Sequence, residues 1–453
     1  MNTLRDMLFA QSVAVVGASA AVGKMGHTLL QNLVDGGFQG AVYPVNPREA
    51  VLCGLKCCPS LEQVPGQVDL AVLCIPAAGV PQALEQAGQK GVKGAIIISG
   101  GFREIGNGDL ERQVLEIARR HGIRVVGPNC QGINYTANRL CATWPLATTA
   151  GRIGVVSQSG TIGAELERLA EADGLGMSCF AALGNKLDID EVDFIRFLLE
   201  DSNTDVIALN IEGIGAGSGF LEEAARAAAS KPIVVLKPGR TAAGRIAAAS
   251  HTKSIAGDDR LFSVFCKKYG LMRADTMTEF YEFCKLAALM RPPRGGRLLI
   301  LTSSGGSGIL ATDAAEPRGI SVAPLPGPLR EALAGLLPGQ CVPANPLDLT
   351  GDATAQRYEA VLRLLAREGG AYFDAVLAIF GDPIPGAADV IARFRTYAEL
   401  PVLVSYLGGG SVQEEETGRM NRMGIPVFPA PERAVAALAA LLGSKGKRGE
   451  ARA

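Results

Sequence analysis

The sequence predicts an α/β protein built from doubly wound parallel sheets, with a Rossmann-like first domain followed by two flavodoxin-like domains. Short continuous apolar runs such as Ser12–Val16 recur along the chain, as expected for parallel strands that are buried on both faces. Most of these runs end in small or polar residues and lead into a helical pattern, which is the order of a βα unit. A length of 453 residues is enough for about three domains.

The composition narrows the classes of function. The formal net charge is −1, which argues against a nucleic-acid partner and offers an anionic membrane no attraction. No apolar run reaches the length of a membrane span, and the first residues lack the pattern of a secretory signal. The ten cysteines form no CxxC pair. We therefore expect a cytoplasmic protein with reduced core cysteines and no metal site.

The first domain is predicted over residues 1–145. Its strand Ser12–Val16 is followed by a glycine-rich turn, Gly17–Gly26, and then by a helical pattern. Such a turn directs backbone N–H groups and a helix dipole at an anionic phosphate. The glycine spacing differs from GxGxxG, so the turn alone is a weak signal. Later strands end at Asn46-Pro-Arg48, Pro76, Ser99-Gly-Gly and Gly127-Pro-Asn-Cys130.

The end of the second strand separates two classes of nucleotide-binding protein. A dehydrogenase usually carries an acidic residue there to hold a ribose. Arg48 instead suits an additional phosphate, such as the one on the ribose of coenzyme A or NADP. An NAD(P)-dependent dehydrogenase is thus an alternative that Arg48 disfavours. We interpret His27 and His121, which lie in helical or loop contexts, as structural residues.

The second domain, predicted over residues 146–292, contains a possible phosphate-binding turn. The strand Gly151–Val156 leads into Ser157-Gln-Ser-Gly-Thr161 at the start of a helix. Ser and Thr at this position cap a helix and leave N–H groups free for an anion, although an ordinary N-cap is the alternative. The acidic stretch Asp188–Asp193 is either a metal site or, as we favour, a polar loop before a helix with an acidic first turn.

His251 is the candidate nucleophile. It lies in Gly239–Gly257, a run of small residues predicted to form a loop in which a side chain can meet a bulky ligand. A neutral imidazole is nucleophilic near neutral pH and can accept a phosphoryl group. Glu212 ends the strand Val206–Ile211, and a carboxylate there can orient an imidazole and favour its charged form. The alternatives are a surface-loop histidine that binds nothing and a solvated glutamate.

The third domain is predicted over residues 296–443. The strand Arg297–Thr302, its small-residue turn and the following helix repeat the pattern of the second domain, so the two are predicted to be related flavodoxin-like units. The last helix is expected to end at Leu442. Residues 444–453 are charged and predicted to be a disordered tail.

Five short motifs follow one another along the first predicted domain. In order, they are Gly-Ala-Ser, Asn-Pro-Arg, Ile-Pro-Ala, Ser-Gly-Gly-Phe and Gly-Pro-Asn-Cys-Gln-Gly. Together they resemble the CoA-binding domain of the nucleoside-diphosphate-forming acyl-CoA synthetases, relatives of the succinyl-CoA synthetase alpha subunit. Over nearly its whole length the chain is similar to alpha subunits of ADP-forming acetate–CoA ligases. The resemblance implies a CoA path lined by Gly17, Ser19, Lys24, Asn46, Arg48, Ile75, Pro76, Ser99, Asn129 and Cys130.

The same resemblance implies a reaction through phosphohistidine. His251 would carry the phosphoryl group, Glu212 would orient it, and the phosphate would be held by Ser157, Ser159, Gly160 and Thr161. Acyl-CoA, ADP and phosphate would be converted reversibly into carboxylate, CoA and ATP, with a small acyl group that the sequence does not identify. We find no ATP-grasp region, so either a separate beta subunit in a hetero-oligomer would bind the nucleotide with Mg²⁺, as we favour, or the protein does not complete the reaction.

The remaining alternative is a non-catalytic CoA- or dinucleotide-binding regulatory protein. The presence of His251, Glu212 and Ser157-x-Ser159-Gly160 together argues against it, because a protein that only binds its ligand needs none of them.

Overall fold

The computed structural model describes residues 3–144, 148–215, 217–252 and 259–448, with side chains for all of these except 248–252 and 445–448. The chain divides into two compact units. One comprises Met1–Ala172 and Gly176–Tyr269, and the other comprises Asp173–Leu175 and Gly270–Ala453. Within the described ranges, no helix combines the length and apolar character that crossing a membrane requires.

Strands and helices alternate along most of the first unit. Its strands are β1 (Ser12–Val16), β2 (Ala41–Val45), β3 (Val51–Leu52), β4 (Leu55–Lys56), β5 (Leu70–Leu73), β6 (Gly94–Ile97), β7 (Arg124–Val126), β8 (Gly132–Tyr135), β9 (Leu140–Thr143), β10 (Ala150–Ser157), β11 (Met177–Ala182), β12 (Val206–Asn210) and β13 (Ile233–Leu236). Its helices are α1 (Leu4–Leu8), α2 (Met25–Asp35), α3 (Val80–Gln89), α4 (Gly108–His121), α5 (Gly160–Ala172), α6 (Glu191–Glu200), α7 (Phe220–Ala228), α8 (Ala242–Thr252) and α9 (Asp259–Tyr269).

The first sheet has the strand order β2-β1-β5-β6-β7, and all its neighbouring strands are parallel. Val13, Ala14 and Val15 of β1 are fully buried, which explains why this strand is apolar on both faces. From β1 the chain runs outward to β2 on one side and then crosses over to β5 on the other side of β1, so the topological switch point lies between β1 and β5. The doubly wound α/β prediction is confirmed for this sheet.

The second sheet is mixed. Within the first unit its strands lie in the order β13-β12-β10-β11-β8-β9. Strands β10 to β13 are parallel to one another, whereas the hairpin β8–β9 continues the sheet antiparallel to β11. The hairpin falls within residues 1–145, which the sequence analysis assigned to the first domain. Both of its strands are buried throughout, so no alternating pattern indicates which sheet they join.

Helix α8 differs from the loop predicted around His251. Residues Ala242–Thr252 are helical, and five of them are alanine, the residue with the highest helix propensity. His251 therefore lies at the C-terminal end of a helix. Its side chain and residues 253–258 lie outside the described part of the chain.

The second unit contains a third sheet, formed by β15 (Leu298–Thr302), β16 (Leu347–Asp348), β17 (Ala375–Phe380), β18 (Val402–Tyr406) and β19 (Val427–Phe428). The unit also contains the short strand β14 (Met272–Ala274), which is not part of this sheet. Its helices are α10 (Met277–Leu289), α11 (Gly305–Ala315), α12 (Gly327–Leu336), α13 (Ala355–Glu368), α14 (Ala387–Tyr397), α15 (Gly410–Arg422) and α16 (Pro431–Arg448). The parallel order β16-β15-β17-β18-β19 is that of a flavodoxin-like sheet, as predicted.

Helix α16 extends beyond the end predicted at Leu442. It reaches Arg448, so residues 444–448 of the predicted disordered tail are helical. Ser444 is buried, and its hydroxyl donates to the backbone oxygen of Leu441 at 2.7 Å within the helix. Residues 449–453 lie outside the described part of the chain.

Candidate functional site

All ten residues predicted to line a CoA path lie at the carboxyl edge of the first sheet. Parallel strands end at the same edge, so the loops that follow them converge there. The loop after each strand of this sheet supplies at least one of the residues: Asn46 and Arg48 after β2; Gly17, Ser19 and Lys24 after β1; Ile75 and Pro76 after β5; Ser99 after β6; Asn129 and Cys130 after β7.

The turn after β1 is held by close backbone packing and by one amide. Gly17 has a φ of +86°, and a Cβ on Gly26 would lie 2.1 Å from the Gly17 carbonyl oxygen. Asn46 Nδ2 donates to Ala18 O at 2.7 Å, and Asn46 Oδ1 accepts from Arg48 N at 2.8 Å. Asn46 thus joins the two turns to each other. The Arg48 side chain is exposed and forms no ion pair with the described residues, so it is available to an external phosphate.

The other strand ends are also braced by hydrogen bonds. The Ser99 hydroxyl donates to Ile75 O, and Asn129 N donates to Ser99 O at 2.9 Å. The Cys130 thiol donates to Ile97 O at 3.4 Å. Burial raises the pKa of Cys130 to about 12, so its thiol stays protonated and is not a nucleophile. Ser99 and Cys130 therefore shape this edge through the backbone.

Ser157 lies beneath the predicted phosphate-binding turn. Its hydroxyl donates to Ser159 O, and its oxygen accepts from Asn210 Nδ2 at 3.0 Å and from Ser159 N at 3.2 Å. The side chain is fully buried, and its single O–H is already used. Ser157 thus positions the turn, while Ser159, Gly160 and Thr161, at the start of α5, face a cavity.

This cavity has a volume of about 260 Å³ and joins two of the predicted groups of residues. Asn129 and Cys130 of the predicted CoA path lie on its wall together with the turn at the start of α5. The complete lining is Arg103, Asn129, Cys130, Gln131, Trp144, Gln158, Ser159, Gly160, Thr161, Ala182, Gly184, Asn185 and Lys186. The remaining predicted CoA residues do not line it.

The segment after β11 closes one side of the cavity. Asn185 N donates to Pro128 O at 2.8 Å and Leu187 N donates to Gly127 O at 2.9 Å. Asn185 Nδ2 donates to Glu104 Oε2 at 2.7 Å. Burial acts to raise the pKa of Glu104, but the hydrogen bonds from Asn185 and from the backbone outweigh it and lower the pKa. Glu104 is therefore a fixed anion that holds the segment in place.

Gln158 ties the predicted histidine-orienting residue to the phosphate-binding turn. Its Oε1 accepts from the backbone N–H groups of Glu212 and Gly213, both at 2.9 Å. Its Nε2 donates to Gly213 O at 2.9 Å and to Glu191 Oε1 at 3.3 Å. Glu212 is buried directly after β12. One amide thus fixes the backbone of Glu212 next to Ser159.

The sequence analysis missed Lys186, Gln158, Arg103 and Trp144 as lining residues. The only local signal for Lys186 is that Gly184-Asn-Lys186 follows a strand end.

The acidic stretch Asp188–Asp193 forms a polar loop before a helix with an acidic first turn, which is the interpretation that we favoured. Asp190 caps α6, and Asp188 lies 2.8 Å from the Arg124 Nε.

The other two histidines make local contacts. His27 Nδ1 lies 3.1 Å from Ser19 O, and His121 Nε2 lies 2.7 Å from Glu85 Oε2. His121 links α4 to α3, in line with a structural role. The side chain of His251 is outside the described residues, so its role stays a prediction.

Three family profiles match consecutive parts of the chain. They are described as CoA binding domain, over residues 11–136, succinyl-CoA ligase like flavodoxin domain, over residues 150–287, and Ligase-CoA domain, over residues 298–449.

Several named proteins are similar to the chain over most of its length. It is 38% identical to the alpha subunit of acetate–CoA ligase (ADP-forming) I of Pyrococcus furiosus over 97% of both chains. It is 37% identical to acetate–CoA ligase (ADP-forming) I of Archaeoglobus fulgidus, covering 97% of this chain and 63% of that protein.

A solved structure of a similar protein has the same fold over nearly the whole chain. The dinucleotide forming acetyl-coenzyme A synthetase 1 of Candidatus Korarchaeum cryptofilum, in complex with phosphate and ADP, superposes with a TM-score of 0.92. The two chains are 36% identical, over 99% of this chain and 98% of that one. The carboxyl edge of the first sheet, the turn at the start of α5 and the three matched domains therefore have a common explanation: the chain belongs to the family of ADP-forming acetate–CoA ligases and corresponds to their alpha subunit.

Proposed function

We propose that this chain is the alpha subunit of an ADP-forming acyl-CoA synthetase acting on a small acyl group. It would convert acyl-CoA, ADP and phosphate reversibly into carboxylate, CoA and ATP through a phosphohistidine on His251. The observation that carries the proposal is the cavity bordered by Asn129 and Cys130 on one side and Ser159–Thr161 on the other. A thioester held by the first sheet and a phosphate held at the start of α5 could meet in it.

The first step joins phosphate to the acyl group. A phosphate oxygen attacks the carbonyl carbon of the thioester, the C–S bond breaks, and CoA leaves as the thiolate. The N–H groups at the start of α5 and its dipole would hold the phosphate and stabilise its charge. Arg48 would hold a phosphate of CoA at the far end of the sheet edge, which fits its exposed guanidinium that forms no ion pair with the described residues.

The second step moves the phosphoryl group to His251. A ring nitrogen attacks phosphorus, the bond from phosphorus to the carboxylate oxygen breaks, and the carboxylate leaves. Glu212, whose backbone is fixed by Gln158, would orient the imidazole and stabilise its charged form. Because α8 carries His251 at its C-terminal end, this helix would present the phosphorylated ring to a partner.

The last transfer, to ADP, would occur on an ATP-grasp beta subunit in a hetero-oligomer. Among the described residues, no group of three or more His, Cys, Asp or Glu side chains is arranged to hold a metal ion. Mg²⁺ would accompany the nucleotide on the partner, as the resemblance to the family implies.

The test is the covalent intermediate. The full chain is incubated with acetyl phosphate, and the peptide containing Ser250-His251-Thr252 is examined by mass spectrometry for an acid-labile phosphoryl group. We expect the label on His251 and its loss in His251→Ala. His121→Gln, which alters a histidine held by Glu85, is the matched control and should label normally. Phosphate on another residue, or full turnover by His251→Ala together with the beta subunit, would refute the mechanism.

A further inference from the structure

Lys186 projects into the cavity from a backbone conformation that non-glycine residues rarely adopt. Its φ is +55°, and its side chain is 18% exposed. Gly184 beside it is packed so closely that a Cβ would lie 2.2 Å from Pro128 O. A left-handed non-glycine residue persists only where its surroundings hold it. The segment is therefore built to keep Lys186 at this wall.

The Lys186 ammonium is only partly satisfied by the protein. Its Nζ lies 3.2 Å from Glu191 Oε1 and 3.2 Å from Gly213 O. An ammonium has three N–H donors. Within the ranges that the structure describes, these two oxygens are its hydrogen-bond acceptors, so one donor is left for a ligand in the cavity.

The buried Glu191 side chain anchors the Lys186 ammonium. It is 1% exposed, and its Oε1 accepts from both Lys186 and Gln158. Burial raises the pKa of Glu191, and the nearby Lys186 opposes that rise. A buried carboxylate anchoring a lysine limits the positions that the ammonium can reach. Arg103, the other cation of the lining, is 42% exposed and is engaged by Asn185 O and Glu111.

The contacts of Lys186 show on which side of the cavity its ammonium lies. Lys186 and Gln158 share Glu191 Oε1 and Gly213 O, and Gln158 directly precedes Ser159 of the phosphate-binding turn. The ammonium therefore lies beside that turn and beside the backbone of Glu212. A phosphate at the start of α5 would carry about two negative charges, and such an anion gains most from a partly buried cation.

We infer that Lys186 is a further substrate-binding residue, whose ammonium donates to the phosphoryl group in inorganic phosphate, in the acyl phosphate and on His251. The inference rests on the proposed function. In the transfer to His251, the P–O bond to the carboxylate breaks and a P–N bond forms. Lys186 keeps its proton and neutralises phosphoryl charge throughout. Glu191 is a positioning residue that acts through Lys186.

The chain contains a natural reporter for this site. Trp144 is its single tryptophan and lines the same cavity. With its amide oriented to satisfy both contacts, Gln131 accepts from Trp144 Nε1 at 3.2 Å and donates to Gly160 O at 2.7 Å. The ring is thus coupled to the start of α5. Inorganic phosphate titrated into the full chain should change the Trp144 fluorescence, and calorimetry would give the same affinity.

Neutral variants test the charge. Lys186→Asn and Lys186→Gly both tolerate a left-handed backbone, so neither adds strain. Each should weaken phosphate binding about ten- to a hundredfold, the usual loss of a charged hydrogen bond. Lys186→Arg should recover most of the affinity. Lys56→Asn, an exposed lysine outside the cavity, is the matched control and should bind phosphate normally.

Kinetics separate a binding role from a structural one. With the beta subunit present, the neutral variants should raise the KM for phosphate and slow His251 labelling, while the affinity for CoA stays unchanged. Unchanged phosphate affinity in either neutral variant that still binds CoA would overturn the assignment of Lys186. If the unsubstituted chain neither binds phosphate nor labels His251, the proposed function fails instead.

Discussion

Glu167 shows how a single buried residue couples the cavity to the second sheet. It lies on α5, is 2% exposed, and accepts from Asn134 Nδ2 of β8 at 3.2 Å through Oε1. Its Oε2 has no hydrogen-bond partner among the described residues. Burial raises the pKa of Glu167 to about 7, against the hydrogen bond from Asn134, which lowers it. The residue is therefore half protonated near neutral pH.

The raised pKa of Glu167 makes the free energy of unfolding depend on pH. Because the folded-state pKa lies above the ordinary value of 4.5, the folded state binds the proton more tightly between about pH 4.5 and 7. The free energy of unfolding therefore falls as pH rises through this window and levels off above it. Glu167→Gln removes the charge, so at pH 8 the variant should be more stable by about 3 kcal/mol.

The measurement is urea unfolding followed by Trp144 fluorescence at pH 5 and pH 8. Glu165→Gln, on the same helix but exposed and paired with Arg168, is the control and should change stability by less than about 1 kcal/mol at either pH. An equal pH dependence in the parent and in Glu167→Gln would show that Glu167 does not titrate in this window.

At the scale of elements, the loops at the strand ends decide whether the site can form. The segment after β11 is pinned to the loop after β7 by Asn185 N and Leu187 N, and to the turn after β6 by Glu104. The loop after β1 is pinned by the contact between Gly17 and Gly26. The connections to the loop after β7 and within the turn after β1 use the backbone, whereas Asn185 and Glu104 meet through their side chains, so a small displacement of one loop moves its neighbour.

Gly26→Ala tests the close approach of α2 to the turn after β1. The added Cβ would lie 2.1 Å from Gly17 O, so the backbone must move, at a cost of about 1–3 kcal/mol. We expect CoA binding, measured by calorimetry, to weaken at least about tenfold. Gly108→Ala, in the first turn of α4 with open space around it, is the matched control and should bind CoA normally. Normal CoA affinity in Gly26→Ala would show that this turn does not contribute to the CoA path.

At the scale of the whole molecule, the lengths of the similar proteins bear on whether the reaction is divided between two polypeptides. The chain spans nearly all of the Pyrococcus furiosus alpha subunit but 63% of the Archaeoglobus fulgidus ligase. The three family matches account for residues 11–136, 150–287 and 298–449 and include CoA-binding and ligase regions. This arrangement motivates the proposal that nucleotide binding resides on another polypeptide.

The corresponding prediction concerns ATP synthesis. If the reaction is divided as proposed, the purified chain should make no ATP from acetyl-CoA, ADP and phosphate. Adding the ATP-grasp beta subunit should produce ATP in a coupled assay, and His251→Ala should abolish that activity. Robust ATP synthesis by the purified chain alone would contradict the division into two subunits.

The α/β class, the positions of most strands and the residues at their ends could be predicted from the sequence. Strand β1 agrees with the predicted run Ser12–Val16 residue for residue. These features are local, because a strand buried on both faces needs a continuous apolar run and its exit needs small residues. Parallel strands end at one edge, so the predicted CoA residues had to lie near one another once the sheet formed.

The chemical groups that share the cavity could not be predicted, because contacts between distant parts of the chain bring them together. Arg103 and Asn185 are 82 residues apart in sequence, yet the Arg103 guanidinium donates to Asn185 O. Lys186, Gln158 and Gly213 likewise meet across three separate loops. The hairpin β8–β9 joined the second sheet, and Glu167 acquired its raised pKa, through contacts that no local pattern encodes. Burial and hydrogen bonding depend on what packs against a residue, and that neighbour comes from a distant part of the chain.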